Sequence, residues 1–211
     1  TLDGTLFPYT TLFRSDLLAP FCDAVFLGEA DNTFERIGLL LDGAEGRSEV
    51  LVQLADLPGM HVPAVHGDGE ITTARVIVPG FSPVRTVISG QDNAFGGAFL
   101  VEVNRGCPRG CTFCVVEHGR ATRFVPPATV LEAIPSDAIR VGLVGPAVSD
   151  HPGLPVLLAE LVRRGRHVTL SSLRADRVTP EVIELLAAAG LQTLTVAADG
   201  TSERVREFIH K

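Results

Sequence analysis

The sequence lacks the long apolar run that a membrane-spanning helix needs. Nothing in its 211 residues approaches the roughly 18 consecutive apolar residues that cross a lipid bilayer. It also lacks the start of a secretory signal peptide, because Asp3 and Pro8 interrupt the first residues and no compact apolar region follows a basic one. We therefore expect a protein with no membrane segment, located in the cytoplasm of a bacterium or archaeon.

An excess of positive charge is absent too. The formal net charge at pH 7 is -7, which gives no general electrostatic reason to bind a nucleic-acid backbone. One stretch, residues 101–123, does carry Arg105, Arg109, Arg120 and Arg123 against two glutamates, and it is either a loop kept soluble or a local anion site. Hydrophobic residues make up 45% and charged residues 20%, the balance of a protein with a packed core.

Cysteine is scarce, and its placement does not fit a disulfide framework. Three of the four cysteines, Cys107, Cys111 and Cys114, lie within eight positions with the spacing CxxxCxxC. Such clustering in a chain without a signal peptide indicates a reducing compartment and a metal. Three thiolates on one loop can bind three irons of a cubane cluster. Gly106 and Gly110 are expected to let the backbone curl so that the sulfurs converge.

No fourth cysteine lies near these three, and this absence is informative. A cluster that only carries electrons normally has four cysteine ligands, whereas three ligands leave one iron open for a cofactor. The alternative is a zinc knuckle that adds His118 to the three cysteines. Cys22 as the fourth ligand is a weaker alternative, because Phe21-Cys22-Asp23 is typical of a buried apolar cysteine.

After Gly97 the sequence predicts a regular alternation of strand and helix. Strands are expected at residues 99–103, 139–144, 167–170 and 191–196, and helices at residues 127–134, 155–164, 180–189 and 202–209. Thr179 is a good N-cap for the third helix, and Gly190 is expected to end it. Four strand–helix units at short spacing predict an α/β fold with a parallel sheet.

The residues before Gly97 are less regular, and the length suggests about one to two domains. A strand is expected at residues 23–28, helices at 33–41 and 48–54, and a further strand at 74–78. Prolines make residues 58–97 an extended linker. Residues 1–15 are interpreted as a non-native segment, with an ordinary terminal hairpin as the alternative. We expect the chain to be a fragment at both ends.

Residues 99–114, Phe-Leu-Val-Glu-Val-Asn-Arg-Gly-Cys-Pro-Arg-Gly-Cys-Thr-Phe-Cys, resemble the first strand and cluster loop of the radical S-adenosylmethionine superfamily. The resemblance implies a partial (β/α)6 barrel, of which residues 98–211 would hold the first four βα units. It implies a [4Fe–4S] cluster on the three cysteines whose open iron binds S-adenosylmethionine. Reductive cleavage would then yield a 5′-deoxyadenosyl radical that acts on an unknown substrate. A flavodoxin- or ferredoxin-type protein would donate the electron.

The resemblance also assigns residues of the cysteine loop and of the strand ends to S-adenosylmethionine binding. These residues are Phe113, Gly145, Pro146, Ser172, Arg174 and Asp199. The family's usual Gly-Gly-Glu is not intact at Gly145-Pro146, so a backbone carbonyl would make the contact there. Arg174 has a planar guanidinium suited to a carboxylate, with a surface salt bridge as the alternative. Asp199 is either a polar contact or a helix N-cap.

Three further segments resemble cobalamin-type members of the superfamily. Residues 149–152, Ser-Asp-His-Pro, resemble their Asp-His-Pro, although His151 is equally interpreted as part of a polar turn. Residues 23–29 resemble the last strand of a Rossmann-like cobalamin-binding domain, and residues 51–62 resemble the linker after it. Residues 16–57 would then be the remnant of such a domain. The finer expectation is a cobalamin-dependent methyltransferase, and the alternatives are an iron–sulfur electron carrier or a zinc-stabilised binding module.

Overall fold

The computed structural model describes residues 21–31, 33–67, 82–88, 90, 92, 95–114, 122–171 and 173–211. The chain divides into two compact units, Thr1–Pro79 and Gly80–Lys211. Within the described ranges, no helix is both long and apolar enough to span a lipid bilayer. The predicted segment 1–15, the predicted strand 74–78 and the residues His118, Arg120 and Ser172 lie outside the described residues.

The first unit is built around two short helices. Its elements are β1 (Val25–Phe26), α1 (Phe34–Gly43), α2 (Arg47–Ala55), β2 (Met60–His61) and α3 (Pro63–His66). Its core consists of Val50, Leu54, Leu57, Met60 and Val62. The helices predicted at 33–41 and 48–54 are confirmed as α1 and α2. β1 pairs antiparallel with β2, which differs from the parallel pairing of a Rossmann-like sheet.

Cys22 is exposed in the first unit. The prediction of a buried apolar cysteine at this position is therefore wrong. Its neighbour Phe21 is exposed as well, and Asp23 on the other side forms an ion pair with Arg47 at the surface. The apolar neighbour Phe21 therefore did not indicate that Cys22 is buried. The strand that follows, β1, is only two residues long.

The second unit is α/β and contains a parallel sheet. Its elements are β3 (Phe99–Glu102), β4 (Asn104–Arg105), β5 (Arg123–Phe124), α4 (Pro127–Ala133), β6 (Arg140–Val144), α5 (Leu154–Arg163), β7 (His167–Leu170), α6 (Pro180–Ala188) and α7 (Glu203–Phe208). The strand order is β3-β6-β7, and both pairings are parallel. β4 and β5 form a separate antiparallel pair. This arrangement confirms the predicted α/β class and parallel sheet.

Helix α5 covers the sheet with a continuous apolar face. Leu154, Leu157, Leu158 and Leu161 recur at helical spacing and are almost completely buried in the core of the unit. Burying each such side chain stabilises the fold by about 1.5–3 kcal/mol. The next helix, α6, starts as predicted, since the hydroxyl of Thr179 accepts a hydrogen bond from the third residue of the helix.

Residues 84–86 run antiparallel beside β3. The N–H of Thr86 donates to the carbonyl of Leu100 at 2.9 Å, and the N–H of Glu102 donates to the carbonyl of Val84 at 2.8 Å. Arg85 forms the bridge opposite Val101. This pairing covers backbone groups on the outer edge of β3 that would otherwise be exposed.

The fourth strand predicted at residues 191–196 is not formed, and this prediction is wrong. The segment has no regular secondary structure, and β7 remains at the edge of the sheet in the described part of the chain. Leu194 and Val196 are 38% and 43% exposed. The helix that follows, α7, has no buried residue and so supplies no apolar cover. Alternating apolar residues alone therefore did not produce a strand here.

Candidate functional site

The candidate site lies where the three parallel strands end. β3 leads through Val103 and β4 into the cysteine loop, residues 106–114, while β6 leads into Gly145 and β7 leads into Ser171. In open parallel sheets, ligands bind at this carboxyl edge. The location of the cysteine loop therefore agrees with a role in binding a cofactor.

The cysteine loop carries three free thiols, all partly exposed. Cys114 donates its N–H to the carbonyl of Cys111 at 3.0 Å, which closes a turn between them. Gly106 has a φ of 79°, the left-handed conformation that favours glycine. The expectation that Gly106 and Gly110 together let the three sulfurs converge stays a prediction.

The donor set of the cysteine loop is three soft sulfurs, the ligand type that suits iron–sulfur clusters. Within the described residues, no group of three cysteines, histidines or carboxylates is arranged to hold a single metal ion. His118, which the zinc alternative adds to the three cysteines, lies outside the described residues. The choice between a cluster and zinc therefore stays with the experiment proposed below.

Cys107 shows that these thiols influence one another. Burial raises the pKa of the Cys107 thiol, and the charges of Asp150, Cys111 and Cys114 raise it further, while a hydrogen bond from the backbone N–H of Arg109 opposes the rise. Without a cation this thiol is therefore protonated at neutral pH. Binding to iron requires its deprotonation, so loading the site releases a proton.

Asn104 connects the cysteine loop to the end of β6. It is fully buried between them. Its amide donates to the carbonyl of Gly106 at 2.8 Å, and its side-chain oxygen accepts from the N–H of Ala147 at 3.4 Å. The sequence reasoning missed this residue. The available signal was a polar side chain directly after a buried strand and two residues before the Gly-Cys step.

Gly145 lies at the end of β6, where the resemblance placed it. Its N–H donates to the hydroxyl oxygen of Ser171 at 3.1 Å, and that hydroxyl donates back to the carbonyl of Gly145 at 3.2 Å. A Cβ at this position would overlap the side-chain oxygen of Asn104 and lie 2.9 Å from its backbone oxygen. Only glycine fits here, and the next residue, Pro146, is half-buried.

Arg174 forms a salt bridge, the alternative that the sequence left open, and its contact with a cofactor carboxylate stays a prediction. Its guanidinium forms a two-point ion pair with Asp176, at 2.9 and 3.4 Å. Its third nitrogen, Nη1, lies 3.9 Å from the sulfur of Cys111. The backbone N–H of Arg174 donates to the hydroxyl of Ser149 at 3.1 Å. Arg174 therefore borders the cysteine loop, and Phe113, which belongs to that loop, is 56% exposed.

The residues after α7 also contact the cysteine loop, and no sequence signal indicated this. The N–H of Thr112 donates to the carbonyl of Ile209 at 3.1 Å, and Nδ1 of His210 lies 3.1 Å from the carbonyl oxygen of Gly110. Asp199 forms an ion pair with Lys211.

The N-cap alternative for Asp199 is wrong, because Ser202 caps α7. The hydroxyl of Ser202 accepts a hydrogen bond from the N–H of Val205 at 3.3 Å. Asp199 lies three residues before this cap in a left-handed conformation with a φ of 56°. Its carboxylate is instead engaged by Lys211. The polar contact that the resemblance assigned to Asp199 stays a prediction.

His151 is a structural residue, in agreement with the polar-turn alternative. It is buried, and its Nε2 donates to the carbonyl of Val125 at 2.8 Å. Its Nδ1 accepts from the N–H of Gly153 at 3.0 Å, and its ring packs edge-on against Phe124. Burial lowers the pKa of His151. Both ring nitrogens are used inside the fold, so the ring has no nitrogen left for a ligand.

Comparison with known proteins gives two matches. A family model described as the Radical SAM superfamily matches residues 101–211, just over half of the chain. A protein of Methanocaldococcus jannaschii, described as uncharacterized, is 29% identical over 205 residues, which is 92% of this chain. The aligned part is 42% of that relative, so the chain spans less than half of the relative's length.

Proposed function

The chain belongs to the radical SAM superfamily, and we propose that it is the part of a radical S-adenosylmethionine enzyme that holds the iron–sulfur cluster. The observation that carries this proposal is the cysteine loop. Three free, partly exposed thiols lie on one loop at the carboxyl edge of a parallel sheet. The only other cysteine, Cys22, belongs to the other unit of the chain. Three protein ligands leave one iron of a cubane open for a cofactor.

We propose that Cys107, Cys111 and Cys114 hold a [4Fe–4S] cluster. When bound, this group supplies the electron that splits S-adenosylmethionine into methionine and a 5′-deoxyadenosyl radical. The protein's own contribution is to fix the loop through Asn104, for which the missing side chain of Gly145 leaves room. Hydrogen abstraction from a substrate would follow.

We propose that the side chains of Arg174 and Phe113 contact S-adenosylmethionine. Arg174 is next to Cys111, and a guanidinium pairs well with the carboxylate of the methionine part. Phe113 presents an exposed ring on the same loop, suitable for packing against adenine. We keep Gly145, Pro146, Ser172 and Asp199 as further proposed contacts on the strength of the resemblance.

The electron has to come from a protein partner, and we propose a flavodoxin- or ferredoxin-type donor. Free thiols of this kind belong in a reducing compartment, and we propose the cytoplasm. A simple electron carrier is the alternative from another functional class. It is less well supported, because a carrier cluster normally has four cysteine ligands and the loop offers three.

Anaerobic reconstitution of the full-length protein tests the proposal. The wild-type protein should bind about four irons per chain and form 5′-deoxyadenosine and methionine when dithionite and S-adenosylmethionine are added. Cys111→Ala should abolish cluster binding and product formation. Cys22→Ala is the matched control, since Cys22 is exposed and lies in the other unit, and it should behave as the wild type.

Three results would contradict the proposal or its ligand assignment. Tightly bound zinc in place of iron would favour a structural binding module. A cluster that forms normally but yields no 5′-deoxyadenosine would favour an electron carrier. Loss of the cluster in Cys22→Ala to the same degree as in Cys111→Ala would contradict the ligand assignment.

A finer proposal, methyl transfer that depends on cobalamin, rests on the resemblance of residues 23–29, 51–62 and 149–152 alone. Its test is a titration of the full-length protein with hydroxocobalamin, followed by gel filtration and the visible spectrum of the protein peak. Stoichiometric retention supports the proposal, and a protein peak without the absorption bands of cobalamin removes it without affecting the proposed cluster.

A further inference from the structure

The carboxylate of Asp150 joins three segments at the carboxyl edge of the sheet. Asp150 ends the short 3-10 turn Val148–Asp150 that follows β6. Its Oδ1 forms ion pairs with Arg109 of the cysteine loop and with Arg177 of the turn after β7. The side chain of Asp150 is only 4% exposed, whereas those of Arg109 and Arg177 are 23% and 49% exposed.

Backbone hydrogen bonds hold the chain around Asp150. The N–H of Asp150 donates to the carbonyl of Ala147 at 3.0 Å, and the N–H of His151 donates to the carbonyl of Val148 at 3.1 Å. The buried ring of His151 holds the chain directly after Asp150 through both of its nitrogens. A carboxylate anchored in this way moves little, and it can therefore orient a longer, more flexible partner.

Arg109 is that partner, and it belongs to the cysteine loop. It lies between Cys107 and Cys111, and its Nε donates to Oδ1 of Asp150 at 3.1 Å in addition to the contact of its Nη2. The hydrogen bond to Asp150 raises the pKa of Arg109. Arg109 lies two residues after Cys107 and two residues before Cys111, so its backbone is part of the short turn that connects two proposed cluster ligands. The side chain of Arg109 is thus held by Asp150, and a shift of Arg109 would shift this turn.

The second oxygen of Asp150 strengthens this interpretation. Oδ2 is buried and has no hydrogen-bond partner among the described residues. A buried carboxylate oxygen that is left unpaired costs free energy, which the ion pairs of Oδ1 must offset. Replacing the carboxylate by an uncharged group would weaken those ion pairs and release Arg109 from its anchor.

We infer that Asp150 is a positioning residue for the cysteine loop: it holds Arg109, and through it the backbone around Cys107, in the conformation that receives the cluster. The inference rests on the proposed function for the identity of the cluster. Its geometric basis, the contact between Asp150 and Arg109, does not depend on that identity. Ligand-orienting partners of this kind typically change metal affinity by about 10–100-fold when removed.

The test compares Asp150→Asn, Arg109→Gln and Arg177→Gln in the full-length protein. Arg177→Gln is the matched control, because it removes a cation from the same carboxylate but leaves the cysteine loop untouched. After anaerobic reconstitution, iron loss to a chelator should be about 10-fold faster or more in Asp150→Asn and Arg109→Gln. It should stay near the wild-type rate in Arg177→Gln, and Asp150→Glu should recover part of the loss.

Hydrogen–deuterium exchange of the cluster-free protein gives a second, independent result. Peptides covering residues 107–114 should exchange faster in Asp150→Asn and Arg109→Gln than in the wild type and in Arg177→Gln. Unchanged exchange in these peptides overturns the inference, and so does equal iron loss in all three variants. A failure of the proposed function is recognised separately, in the wild type, by the absence of a cluster or of 5′-deoxyadenosine. If Asp150→Asn does not fold, the comparison of Arg109→Gln with Arg177→Gln decides.

Discussion

Two stretches of the second unit have similar sequences and different structures. β6, Arg-Val-Gly-Leu-Val, is the central strand of the sheet, whereas residues 191–196, Leu-Gln-Thr-Leu-Thr-Val, form no strand. Val141 and Leu143 of β6 are fully buried, while Leu194 and Val196 are well exposed. Strand propensity therefore does not explain why only one of the two stretches forms a strand. The elements packed around each stretch explain it.

β6 has a paired strand on each edge and is covered by the apolar core. β3 and β7 pair with its two edges, and the apolar core that includes four leucines of α5 covers it. Residues 191–196 have no paired strand in the described part of the chain, and α7 offers them no buried side chain. The stretch that has two partner strands and a covering helix forms a strand, and the stretch that has neither does not.

The largest difference is expected between Leu143→Ala and Leu194→Ala. Removing the buried Leu143 side chain should lower the free energy of unfolding by about 2–5 kcal/mol, because a cavity remains in the core. The partly exposed Leu194 should contribute less than about 1 kcal/mol when truncated. Urea unfolding followed by circular dichroism measures both. Equal losses would show that residues 191–196 are packed like a strand after all.

A second, smaller effect is expected at the end of β6. Gly145→Ala should lower the free energy of unfolding by about 1–3 kcal/mol, since the added methyl group overlaps Asn104. Gly38→Ala in α1 is the control, because nothing lies within 4 Å of its added methyl group. That control should be neutral or stabilising by up to about 1 kcal/mol. Thermal melting of both variants decides, and a neutral Gly145→Ala would contradict the close approach of Asn104.

The helix caps give a third comparison between a covered and an uncovered element. Thr179 and Ser202 each accept a hydrogen bond from the third N–H of their helices. Thr179→Ala should cost about 1 kcal/mol, because α6 packs Val182 and Leu186 into the core. Ser202→Ala should mainly fray α7, which buries nothing, and should barely change the unfolding midpoint. A lower unfolding midpoint in Ser202→Ala than in Thr179→Ala would contradict this expectation and show that α7 is the better anchored helix.

The smallest effect is a pH dependence that arises from His151. Its pKa is lowered by burial, so its contribution to stability is complete above the ordinary histidine pKa of 6.5. As the pH falls below that value the unfolded chain takes up the proton first, and the free energy of unfolding decreases. His151→Gln should flatten this dependence between pH 7 and pH 5 in urea titrations. An unchanged slope in the variant would assign the dependence to other groups.

Part of the fold was predictable because it is encoded locally. The Pro-led start of α6 with Thr179 as its cap, and the leucine spacing of α5, define helices within a few residues. The cysteine loop was equally predictable, because the spacing of Cys107, Cys111 and Cys114 is itself the signal. Long-range pairing was not encoded in this way, and the strand expected at residues 191–196 failed for that reason.

The parts of the candidate site that escaped prediction depend on contacts distant in sequence. Asn104 reaches Ala147, and Arg109 reaches Asp150, across about forty residues each. The local sequence does not distinguish an arginine that orients a loop from one that keeps the loop soluble. For Arg109 the distinction comes from its contact with the buried carboxylate of Asp150. The exposure of Cys22 likewise depends on packing around it.

The most direct test of the proposed cluster is a spectroscopic one. The full-length protein is reconstituted and reduced anaerobically, and its electron paramagnetic resonance spectrum is recorded before and after adding S-adenosylmethionine. Three cysteine ligands leave one iron open, so the spectrum should change when S-adenosylmethionine binds to that iron. An identical spectrum before and after the addition would contradict the proposed site.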